Sequence, residues 1–341
     1  MIYKSAILGC GPRAEIHMQA YKGLDEIRLG ALCDMNRERL DACGDKYGIN
    51  RRYADLQEML KREKPDILHI VTPPAIREEP MLLAAQAGVR GIIVEKPIAL
   101  DPAQAGDIRY IAELKGLKVA VNTQRRYFAT CRQLKKVLDD RLIGDIQWVR
   151  IVTKGNILSM GPHMVDLLLF FLGDLSPVSV WAAASGMNGY DYGHPAPADM
   201  LIRYIFPDGI TAYCEDAAGA VGTIGEEDFW QHLEFDFWGS RGRAWWRQNS
   251  DWGYHIEGEA APVVETTSWA RSDVPGQREF TRAMAAWLDG REVHLNNLET
   301  ALQGFEAIMG AFLSACTGQV IDLPATVPNE TIHKLIEKLE Q

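Results

Sequence analysis

The sequence lacks the features that mark membrane, zinc and nucleic-acid-binding proteins. Its most apolar stretch, Val165 to Leu172, is interrupted by Asp166, so no apolar run reaches the length of a membrane span. The six cysteines include no Cys-x-x-Cys pair and no histidine at metal-ligand spacing, so we expect no metal site. With 36 Lys and Arg against 46 Asp and Glu, the net charge of −10 argues against a nucleic-acid partner.

The start of the chain also lacks a leader pattern, because it enters an apolar strand-like run at once. We therefore expect no membrane association, a cytoplasmic location and reduced thiols. A length of 341 residues, with 47% hydrophobic and 24% charged residues, allows two globular domains with sizeable cores.

The first twenty residues follow the order strand, glycine-rich turn, helix. The apolar residues 2–8 lead into Gly-x-Gly-x-x-Ala at 9–14, and residues 15–21 have a helical pattern. Gly9 allows a tight turn, and Gly11 has no side chain to hold a pyrophosphate away from the backbone. This order predicts a dinucleotide-binding βαβ unit. The residues of the turn expected to contact the cofactor are Gly9, Gly11, Pro12 and Arg13.

A second apolar run, residues 27–33, ends in Asp34. Asp34 lies about 20 residues beyond the turn, where a carboxylate accepts hydrogen bonds from the adenosine ribose. Its negative charge repels a 2′-phosphate, so NAD(H) is the expected cofactor. Arg37 nearby offsets part of that repulsion and leaves NADP(H) as the alternative. The competing interpretation of Asp34 is a strand-end turn or a helix cap.

The first 122 residues alternate between strand and helix patterns. The predicted strands are residues 2–8, 27–33, 66–71, 91–94 and 117–121, and the predicted helices are residues 36–47, 55–64, 78–87 and 101–114. Near-continuous apolar strands separated by helices predict a parallel, doubly wound Rossmann sheet.

From about residue 145 the pattern changes to the apolar–polar alternation typical of antiparallel sheets. The predicted strands are residues 146–152, 178–184, 200–206, 210–214 and 233–238, and the predicted helices are residues 278–288, 298–316 and 331–339. The expected fold class is therefore α/β. We predict an NAD(P)-binding Rossmann domain at 1–122 and an α+β domain at 123–341, with a large, mostly antiparallel open sheet for substrate binding and oligomerisation.

A second signature, Glu95-Lys96-Pro97, follows the fourth predicted strand. With the glycine turn and His17, it makes the chain resemble the Gfo/Idh/MocA oxidoreductases, which include glucose–fructose oxidoreductase and inositol dehydrogenases. Further matching segments follow in family order at residues 72–73, 125–127, 143–146, 161–166 and 314–318. The resemblance implies hydride transfer between a nicotinamide and a hydroxyl carbon of a sugar, cyclitol or related polyol.

The resemblance assigns Lys96 and His163 as the catalytic residues. Oxidising an alcohol requires a base for the hydroxyl proton, and a lysine at the carboxyl end of a parallel strand lies where such folds bind ligands. Asp166, three residues beyond His163, either orients the imidazole or contacts substrate. The other expected cofactor contacts are Thr72, Pro73, Glu95, Lys96 and Asn122. The expected substrate contacts, between the two domains, are Gln124, Arg125, Asn156, His163 and Asp166.

Two residues depart from the family pattern. Many family members have an aspartate where this chain has Ser159, and a hydroxyl cannot act as the charge partner that a carboxylate is. Arg77 stands where relatives often have histidine, and we expect this change to affect the cofactor rim. Both departures leave the identity of the substrate open.

Three further expectations concern function and assembly. The alternatives to a dehydrogenase are a non-catalytic dinucleotide sensor and an NAD-dependent glycosidase or lyase that oxidises its substrate transiently. Aromatic residues on the outer face of the second domain's sheet favour a homo-oligomer, a dimer or tetramer. The segment 251–255 is interpreted as a hairpin tip with half-buried aromatics, and alternatively as a loop that closes over the substrate.

Overall fold

The computed structural model describes residues 2–188, 194–217 and 228–341 of the chain. They fall into two compact units. The first contains residues 2–127 and Asp273–Ala301, and the second contains the described residues of 128–272 together with Leu302–Gln341. None of the helices in these described ranges combines the length and apolar character of a bilayer span.

The first unit contains a six-stranded parallel sheet with the order β3-β2-β1-β4-β5-β6, which confirms the predicted Rossmann fold. Its strands are β1 (Tyr3–Leu8), β2 (Ile27–Cys33), β3 (Arg52–Tyr53), β4 (Ile67–Ile70), β5 (Gly91–Glu95) and β6 (Lys118–Asn122). Its first five helices are α1 (Ala14–Ala20), α2 (Arg37–Tyr47), α3 (Leu56–Glu63), α4 (Glu78–Gln86) and α5 (Pro102–Lys115).

Side-chain caps explain where three of these helices begin. Asn36 accepts a hydrogen bond from the third residue of α2, and Asp55 and Asp101 do the same for α3 and α5. Gly48 and Gly116 end α2 and α5 in the left-handed conformation, which glycine adopts at little cost. These local signals are why the helix positions could be predicted closely.

The second unit contains a nine-stranded sheet with the order β14-β13-β12-β11-β7-β10-β9-β8-β15. Its pairs are antiparallel except β7 with β10, so the predicted mostly antiparallel sheet is confirmed. The strands are β7 (Ile146–Lys154), β8 (Ser179–Asn188), β9 (Ala196–Ile205), β10 (Thr211–Ala217), β11 (Leu233–Gly239), β12 (Gly242–Arg247), β13 (Asp251–Ile256), β14 (Val263–Thr266) and β15 (Ile321–Asp322). The later helices of the chain are α6 (Ala129–Asp139), α7 (Gly161–Phe171), α8 (Trp269–Leu288), α9 (Leu298–Thr317) and α10 (Thr331–Leu339).

The two faces of the second unit's sheet differ. On one face, Phe171 of α7 packs edge-on against Phe235 with ring centroids 5.4 Å apart. Tyr204 on the same face donates to the carbonyl oxygen of Ala307 in α9. On the other face, Trp148 and Trp238 stack in parallel with centroids 3.7 Å apart. The sheet therefore buries one face under helices of its own unit and presents aromatic rings on the other.

Helix α8 explains why the first unit includes a segment from late in the chain. Phe280, Met284 and Leu288 belong to one buried cluster with Ile67 and Ile93 of the parallel sheet. The helix begins at Trp269, nine residues before the predicted start at 278, and contains Pro275. Because proline normally interrupts a helix, Pro275 makes the first part of α8 look non-helical in the sequence. The predicted domain boundary at residues 122/123 does not include the segment Asp273–Ala301, which belongs to the first unit.

Two segments differ from their interpretation in sequence. Residues 251–255, expected as a hairpin tip or a closing loop, form the body of strand β13, which pairs with both β12 and β14. Both interpretations were wrong, because pairing on two sides depends on strands that the pattern did not predict. Helix α6 was not predicted either, and its apolar residues Cys131, Leu134 and Val137 are buried.

Candidate functional site

The expected cofactor residues all lie at, or shortly after, the carboxyl ends of strands at one edge of the parallel sheet. The glycine turn follows β1, Asp34 follows β2, Thr72 and Pro73 follow β4, and Lys96 follows β5. Asn122 is the last residue of β6. Because neighbouring parallel strands end at one edge, the structure brings these residues together along that edge.

The glycine turn is open where a phosphate would approach. Gly9 has φ +96°, and a Cβ there would lie 2.3 Å from the carbonyl oxygen of Val71, so the position requires glycine. A Cβ on Gly11 would meet no atom within 4 Å. Thr72, next to Val71, has a buried hydroxyl with no hydrogen-bond partner among the described residues. This free donor and the open backbone fit a dinucleotide.

Asp34 is held by the backbone around the turn. Its carboxylate accepts hydrogen bonds from the backbone N–H of Cys10 and of Asn36, both at 2.7 Å. The Arg39 guanidinium lies 3.3 Å from Oδ1 of Asp34. Arg37, expected to offset the charge of Asp34, pairs with Asp41 at 3.2 Å instead. The cation beside Asp34 is therefore Arg39, a residue that the sequence analysis missed.

Glu95 is the centre of a buried charged cluster. Its Oε1 lies 2.9 Å from Nε of Arg13, 2.9 Å from Nε2 of His17 and 2.7 Å from Nδ2 of Asn122. Burial alone raises the pKa of Glu95, but the charge of Arg13 and the hydrogen bond from His17 outweigh it and hold that pKa well below its usual range. Glu95 is therefore an ionised carboxylate next to Lys96.

The backbone of Lys96 is fixed on both sides. Its N–H donates to Oε2 of Glu95 at 3.2 Å, and its carbonyl oxygen accepts from Nη2 of Arg77 at 3.4 Å. Arg77 is 0% exposed. The expectation that Arg77 lies on the cofactor rim therefore needs correction: its guanidinium is buried against the Lys96 backbone.

Gln124 and Arg125 lie in a short 3-10 turn, Gln124–Tyr127, directly after β6. Both side chains are buried. The amide of Gln124 donates to Oδ1 of Asp273 at 2.8 Å. Asp273 comes from the returning segment of the chain, so no local sequence signal connects it with Gln124.

In the second unit, the remaining expected substrate residues lie at and before the start of α7. His163 and Asp166 are both 5% exposed and stand three residues apart on that helix. Oδ1 of Asn156 accepts from the backbone N–H of Leu158 at 3.2 Å and of Ser159 at 3.0 Å. Asn156 thus shapes the turn that leads into α7.

A buried carboxyl group, Asp216 on β10, lies beneath the same turn. Its Oδ2 is 3.6 Å from the position that a Cβ on Gly161 would occupy, and neither oxygen has a hydrogen-bond partner within the described part of the chain. Burial, with a smaller effect of Asp199, raises the pKa of Asp216 to about 8. The sequence analysis missed it, although alternation with the buried Ala212 and Cys214 indicates an inward position.

Comparison with known proteins identifies the first unit's sheet. Residues 3–123 match the model of an oxidoreductase family with an NAD-binding Rossmann fold, GFO_IDH_MocA. Over these residues the chain is similar to the NAD-binding domain of the Gfo/Idh/MocA oxidoreductases. The expectation drawn from the Glu-Lys-Pro signature and the glycine turn is thus confirmed for the family.

Two curated relatives of this chain are D-apiose dehydrogenases. The one from Paraburkholderia graminis is 32% identical over 216 residues, which cover 58% of this chain and 57% of the relative. The one from Rhizobium rhizogenes is 25% identical, and the match covers 94% of this chain and 98% of the relative. The first match thus spans little more than half of the relative's length.

Solved structures agree on the fold. An oxidoreductase from Agrobacterium radiobacter, crystallised with NAD⁺, L-tartaric acid and magnesium, superposes with a TM-score of 0.82. The match is 21% identical and covers 94% of this chain and 98% of that one. At this identity the likeness establishes the fold of the chain alone and says nothing of its substrate.

Proposed function

We propose that this chain is a Gfo/Idh/MocA oxidoreductase and oxidises a hydroxyl carbon of a sugar or related polyol with NAD⁺. The observation that carries the proposal is the arrangement around Lys96. A lysine at the carboxyl end of β5 is anchored through its backbone N–H to an ionised, buried Glu95 and through its carbonyl to Arg77. Such a lysine occupies a fixed position at the edge where this fold binds dinucleotides.

In the proposed reaction, Lys96 acts as the general base. Bound NAD⁺ supplies the acceptor for the hydride. Lys96 takes the hydroxyl proton as the C–H bond breaks, so that the oxygen becomes a carbonyl oxygen. Glu95 stabilises the ammonium that Lys96 then carries, because a buried carboxylate close to a new positive charge interacts with it strongly.

His163 is the second proposed catalytic group. It lies at the start of α7 with Asp166 on the next turn, and both side chains are nearly buried. A buried imidazole exchanges little with water and holds one orientation, which suits a group that donates to or accepts from the reacting oxygen. His163 lies in the second unit, and its catalytic role is part of the proposal.

The cofactor proposed is NAD(H) rather than NADP(H). Asp34 places a carboxylate where the adenosine ribose binds in this fold, and its two oxygens are fixed by Cys10 and Asn36. Arg39 beside Asp34 partly compensates that charge, so we expect NADP(H) to bind more weakly and still measurably.

The proposed substrate class follows from the relatives. D-apiose dehydrogenases, a D-glucoside 3-dehydrogenase and inositol dehydrogenases are among the proteins that this chain is similar to. The shared chemistry is a secondary or hemiacetal hydroxyl on a ring of several hydroxyls. We propose a sugar of this kind, with D-apiose as the first compound to test.

The test is a screen of sugars and cyclitols for reduction of NAD⁺, followed by product analysis. We expect at least one compound to yield reduced cofactor and oxidised product in equal amounts. Binding of NAD⁺ without turnover of any compound would favour a sensor. Product formation without net reduction of NAD⁺ would favour a glycosidase or lyase that oxidises its substrate transiently.

We also propose a homo-oligomer assembled through the open face of the nine-stranded sheet. That face carries the stacked Trp148 and Trp238, with Tyr213, 44% exposed, next to Trp148. A second copy of the chain presents the same aromatic surface, and a two-fold arrangement lets the two surfaces cover each other.

A further inference from the structure

Two of the cysteines contact each other beside the glycine turn. Cys10 stands between Gly9 and Gly11, and Cys43 lies 33 residues later on α2. The Cys43 thiol donates to the carbonyl oxygen of Cys10 at 3.6 Å. Cys10 belongs to a buried apolar cluster of the first unit, and Cys43 packs against that cluster. We call these two residues the Cys10–Cys43 pair.

The two thiols of the pair also interact with each other. Burial raises the pKa of both, and a hydrogen bond between the two side chains raises the pKa of Cys10 further while it opposes the rise at Cys43. These opposite effects indicate that the Cys10 S–H donates to the Cys43 sulfur, because a donor stabilises negative charge on its acceptor. Both cysteines are free thiols. The fold therefore brings together one thiol from the turn and one from α2.

Cys43 is the member of the pair that an oxidant in water reaches first. Its side chain is half-buried, whereas Cys10 is 4% exposed. Burial raises the pKa of Cys43 and the charges of Glu15 and Asp34 add to this, while the Cys10 hydrogen bond and the Lys46 ammonium oppose it. Burial, Cys43 and Asp34 all raise the pKa of Cys10. Because the thiolate is the nucleophile, we expect Cys43 to react first and slowly, with Cys10 as the second thiol.

The backbone of Cys10 connects the pair with the expected cofactor site. Its N–H donates to Oδ2 of Asp34 at 2.7 Å, and Asp34 is the carboxylate expected at the adenosine ribose. Its carbonyl oxygen accepts from the Cys43 thiol. On either side of it, Gly9 and Gly11 form the turn expected to approach the pyrophosphate. A displacement of Cys10 therefore acts on the turn and on the ribose-binding carboxylate together.

We propose that the Cys10–Cys43 pair is a reversible modification site, which a peroxide oxidises to a disulfide that weakens the binding of NAD(H) at the glycine turn. The effect on cofactor affinity rests on the proposed function, and the formation of the disulfide does not. Disulfides inside reducing compartments are mostly transient and sense oxidants, which fits a pair next to a cofactor site.

The oxidation takes two steps. The Cys43 thiolate attacks hydrogen peroxide, the O–O bond breaks, and Cys43 becomes a sulfenic acid while hydroxide leaves and takes up the proton that the Cys43 thiol had lost. The Cys10 sulfur then bonds to the Cys43 sulfur, the S–O bond breaks, and the hydroxyl group leaves with the Cys10 proton as water. The two thiols lose two electrons and two protons, and the peroxide becomes two water molecules. A dithiol reductant reverses the reaction by two exchange steps.

The disulfide changes the surroundings of the Cys10 backbone. Its sulfur atoms stand about 2.05 Å apart, closer than those of two hydrogen-bonded thiols. Oxidation also removes the S–H that donates to the Cys10 carbonyl oxygen. Because Cys10 is closely packed in a buried cluster, the approach of the two sulfurs draws the turn toward α2. We expect the turn and the Asp34 carboxylate to leave the geometry that a dinucleotide requires.

The first test identifies the disulfide. The fully reduced chain is treated with hydrogen peroxide and digested without reductant, and the linked peptides are identified by mass spectrometry. We expect Cys10 to be linked to Cys43. The proposal is overturned if no disulfide forms, or if Cys10 links instead to Cys33, whose charge also acts on the Cys10 thiol.

The second test measures the effect on the cofactor. We expect peroxide to raise the Kd for NAD⁺ by about tenfold and dithiothreitol to restore it. Cys43→Ser should bind NAD⁺ as the reduced unaltered chain does, since its hydroxyl can still donate to the Cys10 carbonyl, and should no longer respond to peroxide. Cys316→Ser is the matched control, because Cys316 is a half-buried thiol of the second unit, and it should respond fully. An equal response of the two variants would overturn the proposal.

A third measurement uses the reciprocity of coupled equilibria. If the dithiol form binds NAD⁺ about tenfold more tightly than the disulfide form, saturating NAD⁺ stabilises the dithiol by the same factor. In glutathione buffers we therefore expect NAD⁺ to raise the reduction potential of the pair by about 30 mV, the equivalent of tenfold for two electrons. A potential that NAD⁺ does not move would overturn the coupling.

The outcomes separate this proposal from the proposed function. A chain that forms the Cys10–Cys43 disulfide and fails to bind NAD⁺ when reduced would support the modification site and contradict the proposed cofactor. A chain that binds NAD⁺ and oxidises a sugar while its pair stays reduced in peroxide would overturn the modification site and leave the proposed function standing.

Discussion

Nη2 of Arg77 lies 3.4 Å from the carbonyl oxygen of Lys96, and the Arg77 side chain is fully buried. A guanidinium inside the protein at this point fixes the backbone from which the proposed base projects. The residue acts on Lys96 by position, since it contacts the Lys96 backbone. Arg77, one of the two departures from the family pattern, thus contacts the backbone of the proposed base.

We expect Arg77→Met to lower kcat by about tenfold while leaving the Kd for NAD⁺ within about twofold, because the variant loosens Lys96 and leaves the glycine turn intact. Steady-state kinetics and cofactor titration measure the two effects. Arg62→Met serves as control, since Arg62 lies on the exposed side of α3 and pairs with Glu58. A loss of NAD⁺ affinity as large as the loss of kcat would place Arg77 on the cofactor rim.

Asp34 and Arg39 should set the cofactor preference in opposite directions. We expect Asp34→Asn to move the ratio of NAD⁺ to NADP⁺ affinity by about tenfold toward NADP⁺, because the charge that repels a 2′-phosphate is gone. Arg39→Ala should weaken NADP⁺ more than NAD⁺. Arg37→Ala should leave the ratio unchanged, since Arg37 pairs with Asp41. A larger effect of Arg37 than of Arg39 in these titrations would contradict the assignment.

The buried carboxyl of Asp216 should make the second unit less stable as the pH rises. Its pKa is raised from an ordinary value of 3.8 to about 8, so between these values the folded chain binds more protons than the unfolded chain. The free energy of unfolding therefore falls with rising pH across that window. Stability from this group is complete below about pH 4 and is lost by about pH 8.

We therefore expect Asp216→Asn to gain stability relative to the unaltered chain at pH 8, on the order of a few kcal/mol, with little difference at pH 4. Thermal unfolding at both pH values measures this. Asp322→Asn, an exposed aspartate of the same unit, should show no such pH dependence. An Asp216→Asn variant that is less stable at pH 8 would show that the ionised carboxylate is required.

The open face of the nine-stranded sheet should hold the copies of the chain together. We expect Tyr213→Glu to convert the oligomer to monomers in light scattering at micromolar concentration, because a charge in the centre of an apolar contact is costly to bury. Leu114→Glu, on an exposed position of α5, should leave the mass unchanged. A monomeric unaltered chain at the same concentration would contradict the assembly itself.

The sequence allowed the Rossmann sheet to be predicted in detail because its signals are local. Strand, turn and cap residues stand next to the elements that they define, as Asn36 and Gly48 do for α2. Helix α8 was placed too late because its first residues surround Pro275 and because it packs against strands from the first third of the chain, such as β4 and β5. Strands β12 to β14 depend on pairing with each other, which no single segment reveals.

For the candidate site, residues that follow strands could be predicted and residues that fold back onto them could not. Lys96, Asp34 and the glycine turn each have a fixed place after an apolar run. Asp273 reaches Gln124 only because the chain returns to the first unit. The burial of Arg77 likewise depends on the residues packed around it, so the sequence near Arg77 does not indicate it.

The removal of the Lys96 amine tests the proposed chemistry most directly. Lys96→Met keeps the length of the side chain, and Lys115→Met at the exposed end of α5 is the control. With a substrate from the screen, we expect Lys96→Met to lose about 10²–10⁴-fold in kcat, with the Kd for NAD⁺ nearly unchanged. Lys115→Met should turn over normally. If Lys96→Met turns over at close to the rate of the unaltered chain, Lys96 is not the base.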